Sequence, residues 1–357
     1  MNIPLPVHGR GATVSPTNRF ERLAFEPDGD AFDDAARDER PHPATVFLRD
    51  SSRSIIATND SPDVSFDVSI NPYRGCEHGC AYCFARPTHE YLGFNAGLDF
   101  ETRIMVKLDA AKLLRAELAS PRWQPKMLAV SGVTDCYQPA ERHFRLTRQC
   151  LEVLAECRNP VGIVTKNHLV TRDADLLSDL ARHDAAAVFV SLTTLDPHLA
   201  AKLEPRASSP RRRLDAVAKL AAAGVPVGVL TAPVIPGLND VEVPALLAAA
   251  ADAGATHAGY VPLRLPLAVA PVFEGWLREH YLDRADKVLN QVRSMRGGQL
   301  YNSAWNTRMR GTGHLSDQFE QLFHLARKRA GMGEKSLKLS TAHFRRPQTG
   351  GQMGLFD

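Results

Sequence analysis

The stretch "DVSINPYRGCEHGCAYCFAR", residues 67–86, opens as a strand and closes as a cysteine cluster. Its three thiols, Cys76, Cys80 and Cys83, fall at Cys-x3-Cys-x2-Cys spacing within eight residues. The other cysteines, Cys136, Cys150 and Cys157, lie far downstream. A lone cysteine is usually a small buried hydrophobe. Three beside Arg74, Glu77, His78 and Arg86 do not read that way. Structural zinc wants four ligands, commonly as two separated pairs. Here the second pair is missing, so zinc would need His78 or a distant residue. A [4Fe–4S] cluster has four irons and usually four cysteine ligands. Three cysteines would leave one iron open, as a catalytic zinc keeps an open position.

Outward from this loop, apolar runs alternate with helical patterns. Strands are predicted at 67–73, 126–132, 160–166, 186–194, 225–235 and 256–266. Helices are predicted at 141–158, 172–183, 208–224 and 240–254, the third stopped by Gly224. Short, nearly continuous apolar runs are what strands buried on both faces look like. About six βα repeats imply an α/β fold with a parallel sheet and outer helices. A doubly wound sheet and a partial TIM-like barrel both satisfy the pattern, which is short of eight repeats. Residues 1–62 read as a partly irregular N-terminal extension, disordered in part or wrapped over the domain, and charged around 25–50. Residues 63–268 hold the repeats, and 269–357 read as a mostly helical C-terminal region and tail.

The bulk numbers exclude some classes. The 357 residues carry a formal charge of +3, with 44% apolar and 23% charged residues, ordinary for a globular protein. No apolar run reaches the roughly 18–20 residues of a membrane span, and the N-terminus lacks a secretory pattern. Six cysteines in this length are too few for a disulfide scaffold. The expectation is a cytoplasmic protein with no membrane partner.

With Tyr82 as the aromatic, Cys-x3-Cys-x-aromatic-Cys resembles the signature of the radical S-adenosylmethionine (SAM) superfamily. "SGVTDCYQPAE", "VTKN", "VSLTTLD" and "APVIPGLND" narrow the resemblance to the spore photoproduct lyase-like branch, over about residues 45–345. The resemblance implies a partial (β/α)6 barrel with a [4Fe–4S] cluster on Cys76, Cys80 and Cys83. SAM would chelate the open iron and be cleaved reductively to a 5′-deoxyadenosyl radical. Flavodoxin or ferredoxin would supply the electron.

The resemblance also implies site residues. Tyr82, Ser131, Gly132, Thr134, Lys166, Ser191 and Pro233 would line SAM: the second strand's end at its amino group, Lys166 at its carboxylate, Ser191 near the ribose. The backbone from Ala232 to Ile235 would lie along the adenine. Thr193 and Asp196 follow Ser191, and Asp196 before Pro197 also reads as a helix cap. Asp135, Cys136, Gln138, Glu141 and Arg264 are catalytic or substrate candidates, because barrel sites sit past strand C-termini. Glu141 also reads as a helix-start carboxylate. Arg264 suits a substrate anion, or a pairing with Asp135 or Glu141. The lyase's Cys-Thr-Ser-Asp stretch is Gly132-Val133-Thr134-Asp135 here, so its hydrogen-donating cysteine is absent. Cys136 is a replacement donor or a buried thiol. The lyase's tyrosine after the last cluster cysteine is Phe84. Spore-photoproduct repair therefore does not carry over.

Basic runs at Arg206 with Arg211–Arg213, at Arg327–Arg329 and at Arg345–Arg346 read as solvated faces. A nucleic-acid partner stays open, as does a role for "RGGQLYNSAWNTRMRGTGH" (296–314) in covering the barrel mouth. The reading is a radical SAM enzyme of unknown substrate. Its rivals are a lyase-like enzyme on a nucleic-acid lesion or modified base, and a non-catalytic Fe–S or zinc nucleic-acid binder.

Overall fold

Six short apolar runs lie side by side. They are β1 (Val68–Ile70), β2 (Leu128–Val130), β3 (Val161–Thr165), β4 (Ala186–Ser191), β5 (Val227–Val234) and β6 (His257–Pro262). The computed structural model describes residues 10–21, 44–334 and 337–348. The strands pair in chain order, all parallel. β1 and β2 are wholly buried and β4 nearly so, which is why they read as continuous apolar runs. Ile56–Thr58 adds an antiparallel strand on the outer side of β1.

Strand order decides between the two predicted topologies. A doubly wound sheet reverses order at a switch point, and this one never reverses. With right-handed crossovers, each helix then falls on the same face and the sheet curls about the other. The helices after the strands are α1 (Ala110–Ala119), α2 (Leu146–Cys157), α3 (Ala174–Ala181), α4 (Pro210–Ala222), α5 (Val243–Asp252) and α6 (His314–Arg329). Neighbours touch, α1 with α2, α2 with α3, α4 with α5 and α5 with α6, making one outer layer. The main core lies between the layers, with Leu114, Val130, Leu151, Ile163, Val188 and Val229 among its fully buried members. The fold is the predicted α/β partial barrel, followed by helices Val269–His280 and Leu282–Ser294.

Several details differ from expectation. The helix expected over 141–158 is interrupted at Arg145, whose φ of 54° is left-handed. The Glu141 carboxylate accepts the N–H groups of Thr147 (3.0 Å) and Arg148 (3.3 Å), so it caps a fresh helix, α2. A small sheet of Val46–Arg49, Arg103–Val106 and Tyr73–Arg74 flanks the cysteine loop. Within the predicted extension, 46–49 and 56–58 are strands, and residues 10–21 lack regular structure. Most of the charged stretch at 25–50 lies outside the described residues. Arg213 is buried, so the run at Arg206–Arg213 is not one solvated face.

The loop after Leu282–Ser294 bridges the two edges of the open sheet. Arg296 donates to the Leu263 carbonyl just past β6 (2.9 Å). Farther along, the Asn306 N–H donates to Asp63 (2.7 Å) and Arg308 pairs with Asp63, which follows the edge strand 56–58.

Candidate active site

The cysteine loop is held from inside by one buried ion pair. Arg86 and Glu101 are both fully buried and bonded to each other. Arg86 also donates to the Cys80 carbonyl through Nε (3.1 Å) and Nη2 (2.8 Å), and through Nη1 to the carbonyls of Ala96 (3.1 Å) and Gly97 (3.0 Å). Gln138, fully buried, clamps the other side: its Oε1 accepts the Glu77 N–H (2.9 Å) and its Nε2 donates to the Gly75 carbonyl (3.1 Å). Gly79 has φ 65°, and a Cβ there would stand 3.0 Å from Glu101 Oε2, so the turn needs glycine.

A strap formed by residues 10–21 closes the back of the loop. The Ala12 N–H donates to Glu101 Oε1 (2.8 Å), Ser15 Oγ accepts the Leu98 N–H (3.0 Å), and Asn18 Nδ2 donates to the carbonyls of Glu90 and Phe94. At Gly11 a Cβ would lie 1.5 Å from the Gly79 carbonyl oxygen.

Cys76 and Cys80 are buried and Cys83 is half-buried. Burial pushes all three thiols up, with Asp135 and the other two thiols adding to the effect at Cys76, and Glu204 at Cys80; at Cys83, Arg86 opposes it. The thiols therefore feel one another. Yet among the described residues no three His, Cys, Asp or Glu side chains converge on one metal ion.

The ends of β2 and β3 meet at Asp135. Its Oδ1 accepts the Thr165 hydroxyl (2.7 Å) and the Tyr137 N–H (2.9 Å); its Oδ2 accepts the Lys166 N–H (2.7 Å) and lies 3.3 Å from His78 Nδ1. Asn167 Oδ1 accepts the Leu169 N–H (3.0 Å), and its amide Nδ2 lies 3.2 Å from His78 Nε2. Burial pushes the Asp135 carboxyl up, but His78, the Lys166 N–H and the Thr165 hydroxyl outweigh it and hold it at about 2. The Lys166 ammonium lies 5.8 Å from the Tyr82 ring centre and acts electrostatically on Cys80 and Cys83. It is a cation beside the thiols.

The other β2-end candidates are placed as follows. Ser131 has a left-handed φ of 78°, and its Oγ accepts the Cys136 N–H (2.7 Å). A Cβ at Gly132 would come within 3.1 Å of Ser69. The Thr134 hydroxyl is spent on the Tyr73 carbonyl (2.8 Å). Cys136 is fully buried in the main core with Tyr137, and burial pushes its thiol well up. Glu141, fully buried, pairs with Arg172 (2.7 Å) and the Tyr73 hydroxyl (2.6 Å), besides capping α2.

A second buried network joins the cysteine loop to β4 and β5. Glu204 accepts from Tyr82 and Arg213, and from the Thr193 hydroxyl (2.7 Å). Arg213 also donates to the Ser191 carbonyl (3.1 Å). Asn239 Nδ2 reaches the carbonyls of Thr193 (2.8 Å) and Pro233 (3.1 Å), and its Oδ1 accepts the Ile235 N–H (2.6 Å). Glu204 carries no sequence motif; Arg213 stands in a basic run and Asn239 in the quoted segment "APVIPGLND", but neither had been given a role. Asp196 caps the helix Pro197–Leu203 (2.8 Å), as its spacing predicts. Arg264 pairs with neither Asp135 nor Glu141; its guanidinium lies 5.4 Å from the ring centre of Phe84, which is exposed beside Cys83.

The Radical SAM superfamily pattern matches residues 70–250, just over half of the chain. Uncharacterized proteins of Mycobacterium tuberculosis and Mycobacterium bovis are 39% identical over 226 residues, 62% of this chain and 66% of theirs. The match thus spans just under two thirds of those relatives. An uncharacterized protein of Methanocaldococcus jannaschii is 30% identical over 173 residues, 48% of this chain and 62% of its own. Spore photoproduct lyase, solved with bound AdoMet and a dinucleoside spore photoproduct, shares the fold at a TM-score of 0.57 and 18% identity, over 81% of this chain and 80% of the lyase.

Proposed function

The chain belongs to the radical SAM superfamily, and from that premise we propose that it cleaves SAM reductively at a [4Fe–4S] cluster held by Cys76, Cys80 and Cys83. The observation that carries this is the three-cysteine loop inside the matched superfamily segment, with the Lys166 ammonium 5.8 Å from the ring centre of Tyr82 in that loop. When bound, the cluster and SAM together supply a 5′-deoxyadenosyl radical that abstracts hydrogen from a substrate. The chain's own residues bind, orient and exclude water. Arg86, Glu101 and Gln138 tie down the loop's backbone at Gly75, Glu77 and Cys80. Lys166 offers a point charge for the SAM carboxylate. The carbonyls and the left-handed turn at Ser131–Gly132 suit its ammonium. Tyr82, held by Glu204, and the β5 end near Pro233, held by Asn239, flank the space for the nucleoside. The Asp135 carboxylate is engaged by β3 and His78, so it acts as a tie between loops and not as a proton carrier.

Burial of Cys136 in the core supports its reading as a structural thiol. Flavodoxin or ferredoxin is the proposed electron donor, in a reducing cytoplasm that suits six free cysteines. Among the described residues no helix is long and apolar enough to cross a membrane.

The test is anaerobic reconstitution with iron and sulfide, then dithionite and SAM, with 5′-deoxyadenosine assayed against a Cys76→Ala/Cys80→Ala/Cys83→Ala control. Release by the wild type alone supports the reading, and DNA and RNA arms then ask whether a nucleic acid stimulates it. A protein that forms no cluster under these conditions refutes it.

A further inference from the structure

The sheet ends in two edges, β6 on one side and the strand Ile56–Thr58 on the other. The loop between helix Leu282–Ser294 and α6 crosses the gap, and its root and tip are held differently. The root is anchored. Arg296 is buried and donates to the carbonyls of Pro262 (3.4 Å) and Leu263 (2.9 Å) at the end of β6, and to those of Thr307 (3.2 Å) and Arg308 (2.8 Å) within the loop. The Thr312 N–H returns to the Met295 carbonyl (3.0 Å), so the loop leaves and re-enters the fold at one place. Leu300 packs on the apolar cluster around Trp276.

At the tip the hold is polar. Asp63, with its side chain 2% exposed, lies in the turn between the strand Ile56–Thr58 and β1. Its Oδ1 accepts the Asn306 N–H (2.7 Å), and its Oδ2 accepts Arg308 Nε; Arg308 Nη2 donates to the Ser61 hydroxyl. Between root and tip the packing is loose. None of residues 297–310 is buried, and 303–306 are exposed. A cleft of about 490 Å³ runs beside Gly297, Gln299 and Tyr301, with Leu267 also on its wall. Gly297 and Gly298 have φ of 67° and 88°, and a Cβ on either would meet nothing within 4 Å. A segment with few buried apolar contacts opens locally at low cost, and residues free to change φ and ψ serve as hinges.

We propose that residues 297–311 are a lid over the open side of the barrel, with Asp63 as its latch. The closed state is the one seen. On opening, Asn306 and Arg308 leave Asp63, and the Thr307 and Arg308 carbonyls leave Arg296, which keeps its bonds to Pro262 and Leu263. The tip then swings on Gly297 and Gly298, and substrate enters between β6 and the strand Ile56–Thr58. Closing again shuts the side of the barrel to water. What the lid guards rests on reading the barrel as the active site; that it moves does not.

The test is hydrogen exchange on the full chain, read by mass spectrometry in peptides spanning 299–310. Exchange there should be faster in the wild type than in helix Leu282–Ser294 or α6. Asp63→Ala should speed it by about tenfold or more, the loss of one charge-assisted hold, and leave β2 to β4 as in the wild type. Arg308→Met attacks the latch from the other side and serves if Asp63→Ala fails to fold. The double variant should be no faster than either single change, since both break the same pair. Unchanged exchange at 299–310 in the single variants overturns the latch, and so does an additive double variant. A rise shared equally by all peptides means general loosening and overturns the lid. The 5′-deoxyadenosine assay is read separately, so failure of the radical reading leaves these outcomes intact.

Discussion

Replacing Glu101 by glutamine removes the one charge that neutralises Arg86. Both side chains are fully buried, so no water takes over the missing carboxylate. Removing one partner of a buried pair costs about 3–5 kcal/mol, because a bare charge is left in low dielectric. Glutamine keeps an oxygen where Arg86 and the Ala12 N–H donate, and the four bonds from Arg86 to backbone carbonyls survive. The loss should therefore fall at the lower end, about 3 kcal/mol. That is a large share of the roughly 5–15 kcal/mol that holds a domain folded. Urea unfolding of the reduced, cluster-free chain measures it. Iron bound after reconstitution should fall in parallel, since Arg86 carries the Cys80 carbonyl. The double variant Glu101→Gln/Arg86→Met removes both charges and should cost less than the sum of the single changes. A loss below about 1 kcal/mol for Glu101→Gln, or strict additivity in the cycle, would refute the reasoning.

Other outcomes follow from the same contacts. Gly11→Ala drives a Cβ into the Gly79 carbonyl, so the strap should lift at a cost of about 1–3 kcal/mol; faster tryptic cleavage at Arg19 would show it, and unchanged cleavage would count against it. His89 is buried between Phe94 and Phe100, and burial pushes it down to about 4 from its usual 6.5. Its contribution is present above pH 6.5 and lost as pH falls toward 4. The wild type should lose on the order of 3 kcal/mol over that window, and His89→Phe should lose much less, as pH-dependent urea midpoints would reveal. Glu204→Gln leaves Arg213 buried without a counter-charge, so it should cost about 3 kcal/mol and loosen Tyr82; near-wild-type thermal unfolding would contradict this.

How much was legible depended on where each signal is stored. The βα repeats showed because β2 and β4 are buried on both faces and spell unbroken apolar runs. The choice of a barrel did not show, since strand order is a property of pairing and not of periodicity. That Cys76, Cys80 and Cys83 share one loop shows in their spacing. Asp135, Gln138 and Glu141 follow the end of β2, as the sequence shows, but their bonds to Lys166, Gly75 and Thr147 depend on loops meeting in space. Arg213 read as one more charge in a basic run, because nothing local marks its partner nine residues earlier. The strap's docking points at the cysteine loop were hidden for a different reason. It docks by backbone and small residues at Gly11 and Ala12, which leave no apolar pattern.

That strap also sets an order of events. Its inner side meets the cysteine loop at Gly79 and Glu101, but its outer side packs Thr13 and Val14 against Gly275. A chain emerging from the ribosome at about 5–20 residues per second needs roughly 10–50 s to travel from the first of these positions to the last. Through that interval the strap has only its inner contacts, to Gly79, Glu90, Leu98 and Glu101, and nothing behind it at Gly275. The strap would therefore seat on the cysteine loop first and be locked from outside only when the helix carrying Gly275 arrives.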